Sequence, residues 1–302
     1  MIKRVLITGA TGLIGSELVR QCHLDGIAVN YLTTSREKIE NTTNYKGFYW
    51  NPIKNEMDVE AFNGVTAIVN LVGAPVSKRW TNNYKKKILD SRVQSLNLLH
   101  ATLQKTDHSI VHFITASGVS IYPNSKTKLY TEEDNDVDNT FLARVVSQWE
   151  ATAAKFKNLG MEVSKVRTGV VLASDEGALP KLVQPIKLGV GAPLGDGEQW
   201  LSWIHIRDIA GIYLFLLKNQ LEGKYNAVAP NPVQNKKMTR MIAAKFDSPL
   251  WLPNIPAFVL KLILGEMSVM VLEGQLVSSK KIEQLGYKFK FYNLDNALED
   301  LL

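Results

Sequence analysis

From the N-terminus, short apolar runs rich in β-branched residues alternate with segments whose apolar positions recur at the helical period. The runs predict strands over Arg4–Thr8, Ala28–Leu32, Phe48–Trp50, Ala67–Val72, Ile110–Ala116 and Glu162–Leu172. The periodic segments predict helices over Leu13–Leu24, Tyr84–Leu103 and Phe141–Leu159. Strands that are apolar throughout, separated by helices, belong to a parallel sheet covered on both faces. The expected fold class is therefore α/β, a doubly wound parallel sheet, in which ligands gather beyond the carboxyl ends of the strands.

Past Leu172 the texture changes. Gly189, Gly191, Pro193, Gly195 and Gly197 predict a loop, and Pro230, Pro232, Pro249, Pro253 and Pro256 punctuate the remaining chain. Leu201–Ile206 nevertheless has the pattern of a strand, with Asp208 as the expected N-cap of an apolar helix that returns to the sheet. The predicted division is a dinucleotide-binding domain over 1–172, rejoined by 201–225, and a smaller C-terminal domain made of 173–200 and 226–302. No internal repeat or low-complexity tract interrupts it.

Composition narrows the class. The 302 residues are 45% hydrophobic and 21% charged, which are globular values. The single cysteine, Cys22, excludes an intrachain disulfide and a multi-cysteine metal site, and is expected to be an inert thiol in a reducing compartment. The longest apolar stretches, Ile209–Leu217 and Ala257–Leu264, fall short of the ~18 residues that a membrane span needs. The start Lys3-Arg4-Val5-Leu6-Ile7 breaks at Thr8-Gly9 without a cleavage pattern, so the expected location is cytoplasmic. The net charge of +6 is scattered, with Lys85-Lys86-Lys87 the one clear cluster, and predicts a solvated surface rather than a nucleic-acid partner. A small-molecule substrate and a phosphorylated cofactor suit the chain better.

The strongest local signal is Val5-Leu6-Ile7-Thr8-Gly9-Ala10-Thr11-Gly12-Leu13-Ile14-Gly15, a strand, a glycine-spaced turn and a helix. Gly9 permits the turn, Gly12 lets a pyrophosphate approach the backbone, and Gly15 lets the helix pack on the strand. The helix start then offers free N–H groups to the phosphates. At the tip of the second strand, Tyr31-Leu32-Thr33-Thr34-Ser35-Arg36 holds no carboxylate for a ribose 2′-hydroxyl. Arg36, with Ser35 and Lys38, instead suits a 2′-phosphate, which favours NADP over NAD; Glu37 argues the other way, and the alternative for Arg36 is a solvent-facing loop cation.

These residues resemble the extended short-chain dehydrogenase/reductases. Asn70-Leu71-Val72-Gly73-Ala74-Pro75, Lys78-Arg79-Trp80-Thr81, Ser91-Arg92, Phe141-Leu142-Ala143, Trp149-Glu150, Arg167-Thr168-Gly169 and Ser202-Trp203-Ile204-His205 resemble an atypical, epimerase-like branch grouped with the nucleoside-diphosphate-sugar epimerases. Leu264-Gly265-Glu266, Gly274-Gln275 and Gly286-Tyr287-Lys288-Phe289 resemble the small domain that ends those proteins, so the likeness covers the whole chain. It implies a Rossmann fold and a cofactor lined by Thr11 to Ile14 at the pyrophosphate, Ser35 and Arg36 at the adenosine phosphate, and Asn51 near the adenine. It further implies Leu71, Val72 and Gly73 along the ribose, Thr115, Ala116 and Ser117 near the nicotinamide, and Arg167 to Val170, Gly169 included, at the end of the sixth strand. For Leu71 and Val72, packing is an equal alternative.

Active members of that superfamily orient the substrate with a Ser or Thr and move a proton with a Tyr that a Lys four residues later assists. Ser117 suits the first role. The helix positions for the pair fall near Leu142 and Val146, neither of which transfers protons. Tyr122-Pro123-Asn124-Ser125-Lys126 matches the spacing formally, but its proline and loop setting predict a decoy. Tyr122 with Ser117 is the candidate pair if protons move at all. Arg79, Glu132, Gln199 and His205 are further polar candidates, with Arg79 as an anion contact, Arg92 and Glu150 as an expected buried pair, and His205 as structural. His108 and His112 lack a supporting carboxylate cluster, and no Gly-x-Ser-x-Gly elbow is present. The expected function is an NADP(H)-dependent, epimerase-like oxidoreductase for a small polar substrate, a sugar nucleotide among the candidates. The competing expectation is an NADP(H)-binding regulator without turnover.

Overall fold

The computed structural model describes residues 2–302. Its frame is a single sheet of eight strands: β1 (Arg4–Thr8), β2 (Ala28–Thr33), β3 (Tyr45–Asn51), β4 (Glu56–Met57), β5 (Ala67–Asn70), β6 (His112–Gly118), β8 (Glu162–Thr168) and β12 (Gly223–Ala227). Across the sheet they run in the order β12-β8-β6-β5-β1-β2-β3-β4. All neighbours are parallel except β4, which returns antiparallel along β3. Helices α1 (Leu13–Leu24), α2 (Asn82–Leu103), α3 (Phe141–Ala154) and α5 (Ile206–Asn219) flank the sheet. The result is the doubly wound Rossmann arrangement, with the order reversing at β1 and β5, where a crevice opens beyond the strand ends.

The apolar runs became strands for the reason the pattern implied. Val5, Leu6 and Ile7 of β1, Ile68 and Val69 of β5, and Phe113 and Ile114 of β6 are all fully shielded between the helical layers. Phe156, in the 3-10 turn after α3, stacks on Phe113 with ring centroids 3.8 Å apart, which ties that turn to the sheet. Cys22 is buried in α1, where burial pushes its thiol up to about 12, an unreactive state.

Two expectations need correction. The run Glu162–Leu172 is two strands, because the chain leaves the sheet at Gly169 and continues as β9 (Val170–Leu172), paired with β11 (Trp203–His205). A β-carbon on Gly169 would lie 2.0 Å from the Ser202 carbonyl oxygen, so only glycine allows this close crossing. Nor does Asp208 cap α5. His205 does, its Nδ1 accepting from the Arg207 N–H at 3.0 Å. Asp208 instead accepts from the backbone N–H groups of Lys290 and Phe291 at 2.8 and 2.9 Å, pinning the C-terminal segment to α5.

A second apolar cluster stands beyond the sheet. It gathers Leu179 and Val183 of α4 (Leu179–Lys187), Trp203, Met238 of α6 (Asn235–Lys245), and Leu294 and Leu298 of the last helix, Leu294–Leu301. Short strands stitch the surrounding loops: β7 (Leu129–Tyr130) pairs with Leu276–Val277, and β10 (Trp200–Leu201) with Val233–Gln234. These pairings bring residues 269–275 over the carboxyl end of β6, where the site lies.

Candidate functional site

At the turn from β1 to α1, Gly9 has φ of 72°, and a β-carbon there would lie 3.2 Å from the Leu71 carbonyl carbon and the Val72 nitrogen. Gly15 is tighter, since its β-carbon would stand 2.0 Å from the Gly9 carbonyl oxygen. Between them Thr11 and Gly12 are exposed, and Leu13 and Ile14 are half-buried. Helix α1 starts from Gly12 with no side-chain cap and no acidic residue in its first turn. Its leading N–H groups and positive dipole end are left for an anion, so this cradle fits a dinucleotide diphosphate.

Beneath the cradle runs a buried polar ladder across three strand ends. Thr8 Oγ1 donates to Asn70 Oδ1 at 2.8 Å, and Asn70 Nδ2 donates to Thr115 Oγ1 at 3.1 Å. Thr8 Oγ1 also accepts from the N–H groups of Leu71 and Val72, which sets the Leu71–Gly73 shelf against the glycine turn. Thr8 and Asn70 escaped the sequence reading because each lies inside an apolar run; their shared position at neighbouring strand ends was the available signal. Thr115 was expected at the nicotinamide, but its hydroxyl is engaged in this ladder, and Ala116 packs into the main core. Leu71 and Val72 also pack against that core, while Gly73 is exposed.

At the tip of β2, Arg36 is exposed, lies 3.9 Å from the Tyr49 ring centroid, and has no ion-pair partner among the described residues. Ser35 donates its hydroxyl to Glu37, so Glu37 competes for Ser35 rather than for Arg36. The side-chain oxygen of Asn51 accepts from the N–H groups of Ile53 and Lys54 at 3.1 and 3.2 Å. Through that oxygen it shapes the β3–β4 turn at the end of β3.

A cavity of about 280 Å³ opens beyond β6 and α3. Ser117, Gly118, Thr168, Gly169 and Val170 form one side, Leu142, Val145, Val146 and Trp149 of α3 another, and Val269, Met270 and Glu273 close over it. Leu142 and Val146 thus face the cavity where the superfamily places its proton-moving pair. Ser117 is buried and donates its hydroxyl to Glu150 Oε1 at 2.6 Å. Burial alone would raise the Glu150 carboxyl, but the bonds and charge of Arg167 override it and hold the group ionised below the usual range.

Arg167 corrects three expectations together. Its Nε and Nη2 donate to the two Glu150 oxygens at 2.8 and 3.1 Å, and its Nη1 donates to the Tyr122 hydroxyl at 2.8 Å. Its guanidinium is therefore committed within the protein rather than to a cofactor. The partner of Glu150 is Arg167, not Arg92, which lies over the Trp149 ring at 4.9 Å. Tyr122, the candidate proton donor, is fully buried, with Asn226 Oδ1 and the Thr131 carbonyl each 2.9 Å from its hydroxyl. Burial raises it further from neutrality, so it supports the site from behind and does not reach a substrate. Lys126 turns away to Asp196 and Glu198.

The other polar candidates are structural. His205 stacks on Phe291 with centroids 3.6 Å apart, Gln199 donates to the carbonyls of Leu194 and Val271, and Glu132 accepts from the Asn226 N–H. Arg79 is exposed. Among the described residues no cluster of three or more potential metal ligands occurs, and no helix is long and apolar enough to cross a membrane.

Fold, glycine cradle and cavity together define an NAD(P)-binding protein of the epimerase-like, extended short-chain dehydrogenase/reductase type. The chain belongs to the NAD dependent epimerase/dehydratase family, whose model matches residues 5–228; residues 255–301 match a domain of unknown function, DUF1731. An epimerase family protein of Staphylococcus aureus (strain MRSA252) is 36% identical over 304 residues, covering 100% of this chain and 99% of the relative. The chloroplastic SDR39U1 homolog of Arabidopsis thaliana, an epimerase family protein, is 36% identical and matches 99% of this chain and 86% of its own length. Among solved structures, human epimerase family protein SDR39U1 (isoform2), crystallised with NADPH, superposes with a TM-score of 0.85 at 29% identity, covering 99% of this chain and 98% of the other.

Proposed function

We propose that this protein is an NADP(H)-dependent oxidoreductase that acts on a small substrate held in the cavity beside Ser117. The observation that carries the proposal is that the uncapped start of α1, which follows β1, and a cavity lined by Ser117 at the end of β6 both lie beyond the carboxyl ends of the same parallel sheet. When bound, NADP(H) supplies or accepts the hydride. The unpaired Arg36 beside the β2 tip supports the phosphorylated cofactor, as does the NADPH found with the human relative.

Because Ser117 directs its proton to Glu150, it presents lone pairs to the cavity and accepts from a substrate hydroxyl adjacent to the reacting carbonyl, which orients the substrate without contacting the carbonyl oxygen itself. The proton that accompanies hydride transfer is assigned to Glu273. Burial, reinforced by the charge of Asp138 and opposed by Lys261, raises that carboxyl, so it holds a proton nearer to neutral pH than a solvated glutamate does. The mostly apolar walls favour a substrate with an apolar body over a bare sugar.

The test is consumption of NADPH against a panel of small carbonyl compounds. Turnover that Ser117→Ala and Glu273→Gln both reduce at least ~10-fold supports the assignment. The second reading, a cofactor-binding regulator, draws on Leu142 and Val146 in the cavity. It is favoured if NADPH binds and no compound is reduced.

A further inference from the structure

The cavity contains a cation with unfilled bonding capacity. Arg92 projects from α2 into its lining, and among the described residues no carboxylate lies within ion-pair distance of it. Only Nη1 is engaged, donating to the carbonyl oxygens of Ala74 and Ile88 at 3.2 and 2.9 Å. Nε and Nη2 have no protein partner, so a half-buried guanidinium at the cavity wall keeps two of its donor groups free for a ligand. The fold makes room for this arrangement, because a β-carbon on Gly73 would lie 2.7 Å from the guanidinium carbon. Below it stands Trp149, also in the cavity wall, whose buried indole N–H likewise lacks a partner.

Arg92 is half-buried, and the burial it has, with no carboxylate to offset it, presses its guanidinium down to about 10. The carboxylates that share the cavity, Asp138 and Glu273, do not relieve it, since neither comes within 4 Å. An oxyanion entering the cavity would complete both donors with charge-assisted bonds, while Val145, Val146, Val170 and Val269 would enclose an apolar remainder. We infer that Arg92 is the receptor for an oxyanion group, a carboxylate or a phosphate, carried by a small substrate with an apolar body. The inference rests on the oxidoreductase reading and narrows its substrate class.

The experiment titrates NADPH-saturated protein with phenylacetate, its neutral counterpart phenylacetamide, and inorganic phosphate, read by calorimetry. Saturation with NADPH is established first; if NADPH itself does not bind, the oxidoreductase reading fails and not merely the substrate class. With NADPH bound, phenylacetate or phosphate should bind, and phenylacetate should exceed the amide at least ~10-fold if the group is a carboxylate, as one charge-assisted bond allows. Phosphate binding alone assigns the phosphate source. Arg92→Gln should abolish the anion preference, and Arg92→Lys should restore part of it, with NADPH affinity unchanged in both. Should Arg92→Gln fail to fold, the wild-type contrast between acid and amide with the Arg92→Lys arm decides alone. Equal affinity for acid and amide with no phosphate binding, or an anion preference that survives Arg92→Gln, overturns the inference.

Discussion

Ser117 donates its hydroxyl to Glu150 across 2.6 Å, and the same carboxylate is held by Arg167 through two further bonds. The serine at the cavity is thereby oriented by a buried ion pair behind it. Removing one partner of such a pair leaves an uncompensated charge, so Glu150→Ala should cost about 3–5 kcal/mol of folding stability. The double variant Glu150→Ala/Arg167→Met should recover part of that loss. Urea unfolding measures both, and a double variant no better than the single would show that the charge is not what matters.

Tyr122→Phe separates support from chemistry. The hydroxyl has three partners, Arg167, Asn226 and Thr131, so its loss should lower stability by about 1–3 kcal/mol while NADPH affinity stays unchanged. Chemical denaturation and cofactor titration together check this. Unchanged stability with lost turnover would return Tyr122 to the reacting atoms.

His112 predicts an acid-side weakness. Its Nε2–H donates to Ser164 Oγ at 2.8 Å, Ser164 donates onward to the Leu221 carbonyl, and Nδ1 has no partner. Burial pulls the imidazole down to about 4 against an ordinary value of 6.5. With the folded value depressed, the unfolded chain binds the extra proton first, so stability falls as pH drops from 6.5 toward 4. The loss should amount to about 3 kcal/mol, at ~1.4 kcal/mol per pH unit. Unfolding curves across that range measure it, and a His112→Gln variant should have a shallower slope; an identical slope contradicts the assignment.

Arg36→Ala addresses cofactor choice. Loss of a charge-assisted contact to the 2′-phosphate should weaken NADPH about 10–100-fold and leave NADH nearly untouched. Equal loss for both would mean that Arg36 serves the loop through its stacking on Tyr49.

What the sequence made legible came from local rules. Strand β1 and helix α1 have the predicted bounds because apolar period and glycine spacing act over a few residues. The long-range chemistry was not legible. Glu150 finds Arg167 rather than Arg92 only because α3 packs beside β8, and Tyr122 turns inward because β7 and β12 close behind it. Asp208 has the residue type of a cap, yet three residues upstream His205 takes that place, and the carboxylate is freed to hold the chain at Lys290. In each case tertiary contact decided between two locally acceptable roles.

The most direct measurement is calorimetric titration of NADPH into the wild-type protein and into Gly12→Asp. Gly12 caps α1 in an extended conformation that any residue adopts, and aspartate is a favourable N-cap, so the variant should keep or gain helix stability. Its carboxylate would occupy the N–H groups that otherwise receive the diphosphate. Saturable one-to-one heat for the wild type and none for a folded Gly12→Asp is the predicted result. Flat heat for the wild type, or undiminished binding by the variant, contradicts a diphosphate seat at the start of α1.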